Sequence, residues 1–157
     1  MMTRKKSIFS QKKAKLLIPR ARLAMKNEFF LETSWLVSLT FEARLRSLIA
    51  KNDRMHPGAG FTLEQCLKRM KFLLLKHQDP LLSKHLPVGL IDELRSWKNQ
   101  RNLILKAVES SHVLKKRLQN LAEEGIELMD RLNIAYKQYK SEWKRSLIRV
   151  PVENRQE

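Results

Sequence analysis

Residues 113–143 read VLKKRLQNLAEEGIELMDRLNIAYKQYKSEW, and this stretch decides the fold class. Leu114, Leu118, Leu121, Leu128, Leu132, Ala135 and Tyr139 recur at helical spacing, with Met129, Tyr136 and Trp143 beside them. That period gathers them on one face of an α-helix, and Lys115, Lys116 and Arg117 fall on a solvated face. The spacing predicts one long helix from a cap at Ser110–Ser111 to about Leu147. Gly125 lies on the apolar stripe. Glycine in a helix interior costs about 1 kcal/mol against alanine, so its presence predicts a close helix–helix contact.

The same period extends upstream. Leu90, Leu94, Trp97, Ile104, Leu105 and Val108 predict a helix from Val88 to Val108. Residues 77–89 are irregular, with one short helical turn expected at Asp79–Pro80, because Asp caps and Pro tolerates a first helical position. Thr62 followed by Gln65 reads as a capping box. It opens a helix carrying Leu63, Cys66, Leu67, Met70, Phe72 and Leu74 and ending near Lys76. Residues 52–60 are a breaker. A first helix is expected from Pro19 to Lys51 on the stripe Leu23, Phe30, Val37, Phe41, Leu45 and Leu48, with a bend or restart near Lys26–Glu28. Sustained strand alternation is absent. The expectation is an all-α, antiparallel four-helix bundle over residues 19–149, with an irregular excursion between helices 2 and 3. A basic arm (1–18) precedes it and a C-terminal tail (150–157) follows.

A chain of 157 residues can bury a core without staples. Its 32 basic and 16 acidic residues give a net charge of +16, which attracts polyanions. Half of that excess sits in the first 22 residues, where Arg4, Lys5, Lys6, Lys12, Lys13, Lys15, Arg20 and Arg22 meet no acidic residue. A solubilising tail, a polyanion-binding arm and a transit peptide all fit this composition. Cys66 is the single cysteine, so no internal disulfide can form; a reducing, cytoplasmic setting is expected. No apolar run approaches the ~18 residues of a membrane span, so no membrane partner is expected.

Metal and cofactor chemistry are not expected. His56, His77, His85 and His112 are scattered, with no ligand-like spacing, and there is no glycine-rich phosphate loop. Cys66 lies on an apolar face, where it reads as a small buried hydrophobe. The unusual polar residue is Arg101. It follows Trp97 by four positions and precedes Ile104 by three, which puts a guanidinium on a core-facing stripe. Such a group must reach water, pair with a carboxylate such as Glu42, or open onto a cleft or dimer seam.

The segment LRSWKNQRNLILKA, residues 94–107, resembles the signature helix of HEPN domains. NEFFLETSWLVSLTFEARLRSLI (27–49) is similar to that family's first long helix and LAEEGIELMDRL (121–132) to its last. The resemblance implies a small all-α bundle that dimerises and joins its signature helices in a cleft. Many members are metal-independent ribonucleases of toxin–antitoxin and antiphage systems. In them an Arg, usually followed by Asn or another polar residue, precedes a His on the same helix. Arg101 and Asn102 match the first half; the positions at the spacing of the His hold Lys106, Ala107 and Val108. Lysine holds a phosphate as a point charge but is a poor proton shuttle near neutrality.

Three functions are therefore expected, in this order. The first is a non-catalytic, HEPN-like homodimer that binds RNA or a protein partner through a basic cleft of Arg95, Lys98, Arg101 and Lys106, aided by Arg4, Lys5, Lys6, Lys12, Lys13 and Lys15. The second is a ribonuclease using Arg101 and Asn102, with Lys106 or a histidine from elsewhere such as His56, His77 or His85. The third is a helical module for DNA binding or assembly.

Overall fold

The computed structural model describes residues 3–53, 60–107 and 113–148, with side chains described from Lys13 and, in the last segment, from Leu114. Arg4, Lys5, Lys6 and Lys12 lie outside the described side chains, and His56, His112, the Ser110–Ser111 cap and the tail lie outside the described residues. Six helices follow in order: α1 (Thr3–Lys26), α2 (Phe30–Asn52), α3 (Leu63–Leu75), α4 (Pro80–His85), α5 (Val88–Lys106) and α6 (Val113–Ile148). All regular structure among the described residues is helical.

The expected arm and first helix are divided differently by the fold. α1 runs straight through Pro19, so no boundary falls at residue 18. Pro19 is exposed, which leaves water to satisfy the carbonyl that loses its helical donor. Ala14, Leu17, Ala21 and Ala24 form the buried stripe of α1, and Leu23, expected inside, is exposed. The helix ends at Lys26 because Glu28 takes a left-handed conformation, φ 59°. Phe29 N–H then donates to the Ala24 carbonyl at 2.9 Å and Glu28 N–H to that of Met25 at 3.1 Å, which is the Schellman closure. The helix expected over Pro19–Lys51 is thus an antiparallel hairpin of two helices.

α2 is the central element and packs on α1, α3 and α6. It buries Leu36, Val37, Phe41, Leu45, Leu48 and Ile49, and also Thr33, Ser34, Thr40 and Ser47. Thr33, Ser34 and Thr40 donate to carbonyls one turn back, at 2.9, 2.8 and 2.8 Å. With their hydroxyls answered within the helix, these small side chains can be buried.

Cross-contacts set the helix directions. Arg44 bonds Asn133, Ser47 meets Tyr136, and Asn52 accepts from Tyr139, so α2 and α6 run parallel. Arg22 pairs with Asp130 at 2.7 Å, on the antiparallel α1–α6 seam. Arg46 donates to the Phe61 carbonyl and Arg69 pairs with Asp53, so α3 runs along the second half of α2 in the same sense. α5 returns antiparallel to α3 and α6, with Lys71 on Asp92, Arg95 on Glu64, and Arg131 on Glu93. The expected all-antiparallel arrangement does not hold, because α2 has two parallel neighbours. The Thr62–Gln65 capping box forms as expected, and Asp79 caps α4 through Leu81 and Leu82 N–H groups.

Trp97 on α5 anchors the core. It is fully buried, meets Phe41 edge-on at 5.2 Å between ring centroids, and donates from Nε1 to the Leu121 carbonyl at 2.8 Å. Its indole lies against Gly125, where an added Cβ would come within 2.8 Å of Cζ2. The close approach expected at Gly125 is this contact.

Candidate nucleic-acid interface

α5 carries Arg95, Lys98, Arg101, Asn102 and Lys106, and the fold divides them. Arg95 and Lys98 turn towards α3. Arg95 Nη2 lies 2.9 Å from Glu64 Oε1, Lys98 Nζ holds Oε2, and Lys68 reaches Oε1 at 3.6 Å. Lys98 above all holds the Glu64 carboxyl below the usual carboxylate range, despite some opposition from burial. Two of the four expected cleft cations on α5 are thus engaged by one acid.

Arg101 is different. It follows Trp97 by one turn on the core-facing side and is half-buried. Its Nε is buried with no hydrogen-bond partner. Burial pushes its pKa below the ordinary arginine value, with no opposing charge to offset it. Glu42, the expected partner, pairs with Arg46 at 2.6 Å, one helical turn along its own helix. Asn102 and Lys106 are exposed on another side of α5, since residues one and five positions on sit about 100° and 140° away round the helix. Lys106 is the last residue of α5, where a cation complements the terminal carbonyls.

The histidines do not gather at Arg101. His85 Nε2 lies 2.6 Å from Glu142 Oε2, and Lys84 shares that carboxylate at 2.9 Å. Trp97 sits at Leu121 on α6 and Arg101 lies one turn beyond it, so Glu142 is on the order of 30 Å away at 1.5 Å per residue. His77, in a left-handed conformation (φ 48°), follows α3 at the same end as His85. No group of three or more His, Cys, Asp or Glu residues suited to a metal occurs among the described residues. Cys66 is buried, and desolvation raises its thiol pKa to about 11, so it carries no thiolate near neutrality. Leu31 and Trp35 are exposed on the first turns of α2, and Leu103 on α5; Trp35 is 53% accessible.

A second basic cluster has no counterpart in the sequence expectations. Arg44 is only 3% accessible, yet its guanidinium carbon stacks 4.2 Å from the Tyr136 ring centroid and Nη2 bonds Asn133 at 2.7 Å. Its Nε has no partner. Lys51 Nζ stands 5.0 Å from the Trp143 ring and 5.9 Å from Tyr136, and Lys140 Nζ is 5.9 Å from Tyr136. Burial first, then Lys140 and Lys144, depress the Lys51 pKa; burial, Lys144, Lys15 and Arg44 depress that of Lys140. Of the N-terminal cations, Lys13 and Lys15 are exposed on α1. No helix among the described residues is long and apolar enough to cross a membrane.

No family model, no curated protein and no solved structure matches this chain.

Proposed function

We propose that this chain is a HEPN-like, non-catalytic RNA-binding protein that engages RNA through the Arg101 face of α5 and acts as a homodimer. The observation that carries this reading is the half-buried guanidinium of Arg101, which has no carboxylate partner among the described residues and leaves Nε unanswered there. A desolvated cation of this kind costs folding energy that an incoming phosphate offsets, and arginine matches a phosphate through two parallel N–H bonds. Lys106 and Asn102 extend the polar surface at the same end of the helix. The pairing of Arg95 and Lys98 with Glu64 makes this face narrower than a four-cation cleft. Exposed Leu31, Trp35 and Leu103 supply apolar area for a second copy.

Cleavage is not part of the reading, because Lys106 stands where the resembling family has its proton-transferring histidine. The test is fluorescence anisotropy with labelled single-stranded RNA, across a salt series, beside light scattering. Binding that weakens steeply with salt and drops with Arg101→Ala supports the reading; salt-independent or absent binding overturns it. A monomer at micromolar concentration overturns the dimer.

A further inference from the structure

The cluster built on Tyr136 and Trp143 lies on the order of 30 Å from Arg101 along α6, so it cannot serve the same phosphate. Three cations, Arg44, Lys51 and Lys140, converge within 6 Å of one tyrosine ring. They come from two parallel helices, and Lys144, one turn beyond Lys140, and Lys15 on α1 add to the same field. Arg44, Lys51, Lys144 and Lys15 form no ion pair among the described residues. The nearby Glu142 is committed to Lys84 and His85. The aromatic faces answer part of this charge, since the negative face of a ring attracts a cation above it. Like charges gathered round one ring still repel, so the cluster is complementary to a compact anion.

Beside the cations the surface sinks into an open recess of about 380 Å³, lined by Lys51, Asn52, Leu73, Gln78, Asp79, Leu82 and Trp143. Its polarity is divided. Lys51 brings a cation to the lining, whereas Asp79 would repel a phosphate placed against it. Asp79 accepts from Leu81 and Leu82 N–H through Oδ1 and from the Tyr139 hydroxyl through Oδ2 at 3.1 Å. An ionised carboxylate has about four acceptor sites, so one remains for an exocyclic amine. Leu73 and Leu82 provide apolar walls, and Trp143 an aromatic one. The volume lies in the lower part of the range of about 300–1,000 Å³ occupied by small-molecule sites. A membrane surface is planar and seeks protruding apolar groups; a concave site lined by Lys51, Asp79 and Trp143, with further cations nearby, suits a nucleotide.

We infer that Lys51, held over the Tyr136 and Trp143 rings, and the exposed Lys144 beside it bind the backbone phosphate of a single-stranded RNA whose adjacent unpaired base enters the recess against Trp143. The RNA class rests on the reading proposed above, but the site is separate and has its own residues. The two lysines hold the phosphate as point charges, and Trp143 supplies a stacking face that tolerates any base.

The full chain is titrated against a fluorescein-labelled single-stranded RNA of about 12 nucleotides, within the span of single-strand sites. Lys51→Gln with Lys144→Gln should lower the salt slope by about 1.4 and weaken binding about 25-fold at 0.1 M salt, two contacts each worth about 0.7 decade relative to 1 M. Trp143→Phe should retain affinity, while Trp143→Ala should lose at least about fivefold for RNA and nothing for an abasic strand of equal charge. If the double variant fails to fold, Lys144→Gln alone, at an exposed position, should lower the slope by about 0.7. An unchanged slope overturns the site. Loss with Arg101→Ala but not with the lysine variants overturns this inference and spares the reading of the α5 face; the converse result spares this site alone. Absence of RNA binding by the wild-type chain overturns both. Lysine-dependent binding to phosphatidylserine vesicles without RNA binding would assign the cluster to lipid phosphates and overturn the base recess.

Discussion

Replacing Gly125 by alanine tests the central packing claim. In an open helix the change should stabilise by about 1 kcal/mol, from propensity alone. Here the added methyl would sit 2.8 Å from Trp97 Cζ2 and 3.0 Å from Cε2 and Nε1. Carbon atoms prefer about 3.5–4.0 Å, so the indole must retreat by roughly 0.7 Å or more. It has nowhere free to go: Trp97 is fully buried, Phe41 meets its ring, and its N–H bond to the Leu121 carbonyl is 2.8 Å long. A shift of that size strains a bond worth about 1 kcal/mol and adds an overpacking cost of about 1–3 kcal/mol. Subtracting the propensity gain leaves a net loss of about 1–3 kcal/mol. For a chain of this size that lowers Tm by about 3–10 °C. Circular dichroism at 222 nm measures it. In the Trp97→Phe background the benzo ring and the N–H are gone, so Gly125→Ala should become neutral or stabilising, with a coupling of about 1–3 kcal/mol in the double-mutant cycle. A Gly125→Ala variant as stable as wild type, or additivity of the two changes, would refute the contact.

Other outcomes follow from the ion pairs and caps. Arg101→Met removes a desolvated, unpartnered guanidinium, so it should raise stability by about 0.5–2 kcal/mol while weakening RNA binding; a fall in Tm would mean that the guanidinium is satisfied. Thr62→Ala deletes the acceptor of the capping box and should cost about 1 kcal/mol by urea titration. Glu64 and Glu142 both titrate below the ordinary glutamate value of 4.5, held there chiefly by Lys98 and by Lys84. Their folded pKa values being depressed, their contribution is complete above the unfolded value and lost as pH falls through the folded one. The urea midpoint should therefore drop between pH 5 and pH 3, and Glu64→Gln should flatten that drop. Lys51 and Lys140 act in the same sense at the alkaline end: with folded pKa values below 10.5, they should give stability that rises with pH as the folded forms deprotonate ahead of the unfolded ones, and Lys51→Met should reduce this alkaline gain.

Much of the helical pattern was legible because apolar period and capping chemistry are local. The stripe of residues 113–143, the Thr62–Gln65 box and the Gly125 contact needed only neighbouring residues. The α1–α2 break was harder: its left-handed residue is Glu28, where a glycine would have announced the stop, and only the faltering stripe at Lys26–Glu28 hinted at it. The start of the first helix, expected at Pro19, was missed because α1 buries mainly alanines, Ala14, Ala21 and Ala24, which a search for large apolar side chains passes over. Arg101 stood out because it interrupted a large-residue stripe. Arg44 did not, since α2 is buried on several sides and its polar positions resemble a solvated face. The convergence of Lys51 with Lys140 and Lys144 depends on α2 and α6 being parallel, which no single segment encodes.

The placement of acids clarifies the excess of bases. Glu64 takes up Lys68, Arg95 and Lys98, Glu142 takes up Lys84 and His85, and Asp53 takes up Arg69. These pairs stitch α3 to α5, α4 to α6 and α2 to α3, so they are used where elements must be held in register. By contrast Arg44, Lys51 and Arg101 sit half-buried or buried on helices already fixed by Phe41, Trp97 and Tyr136. Burial opposes the charge of all three, and only Arg44 returns something to register, through Asn133 and the Tyr136 ring. Methionine or leucine at those positions would fit the core at lower cost. On the RNA-binding reading proposed above, these cations cost the fold stability at two places far apart along α6 and give a phosphate chain two points of attachment.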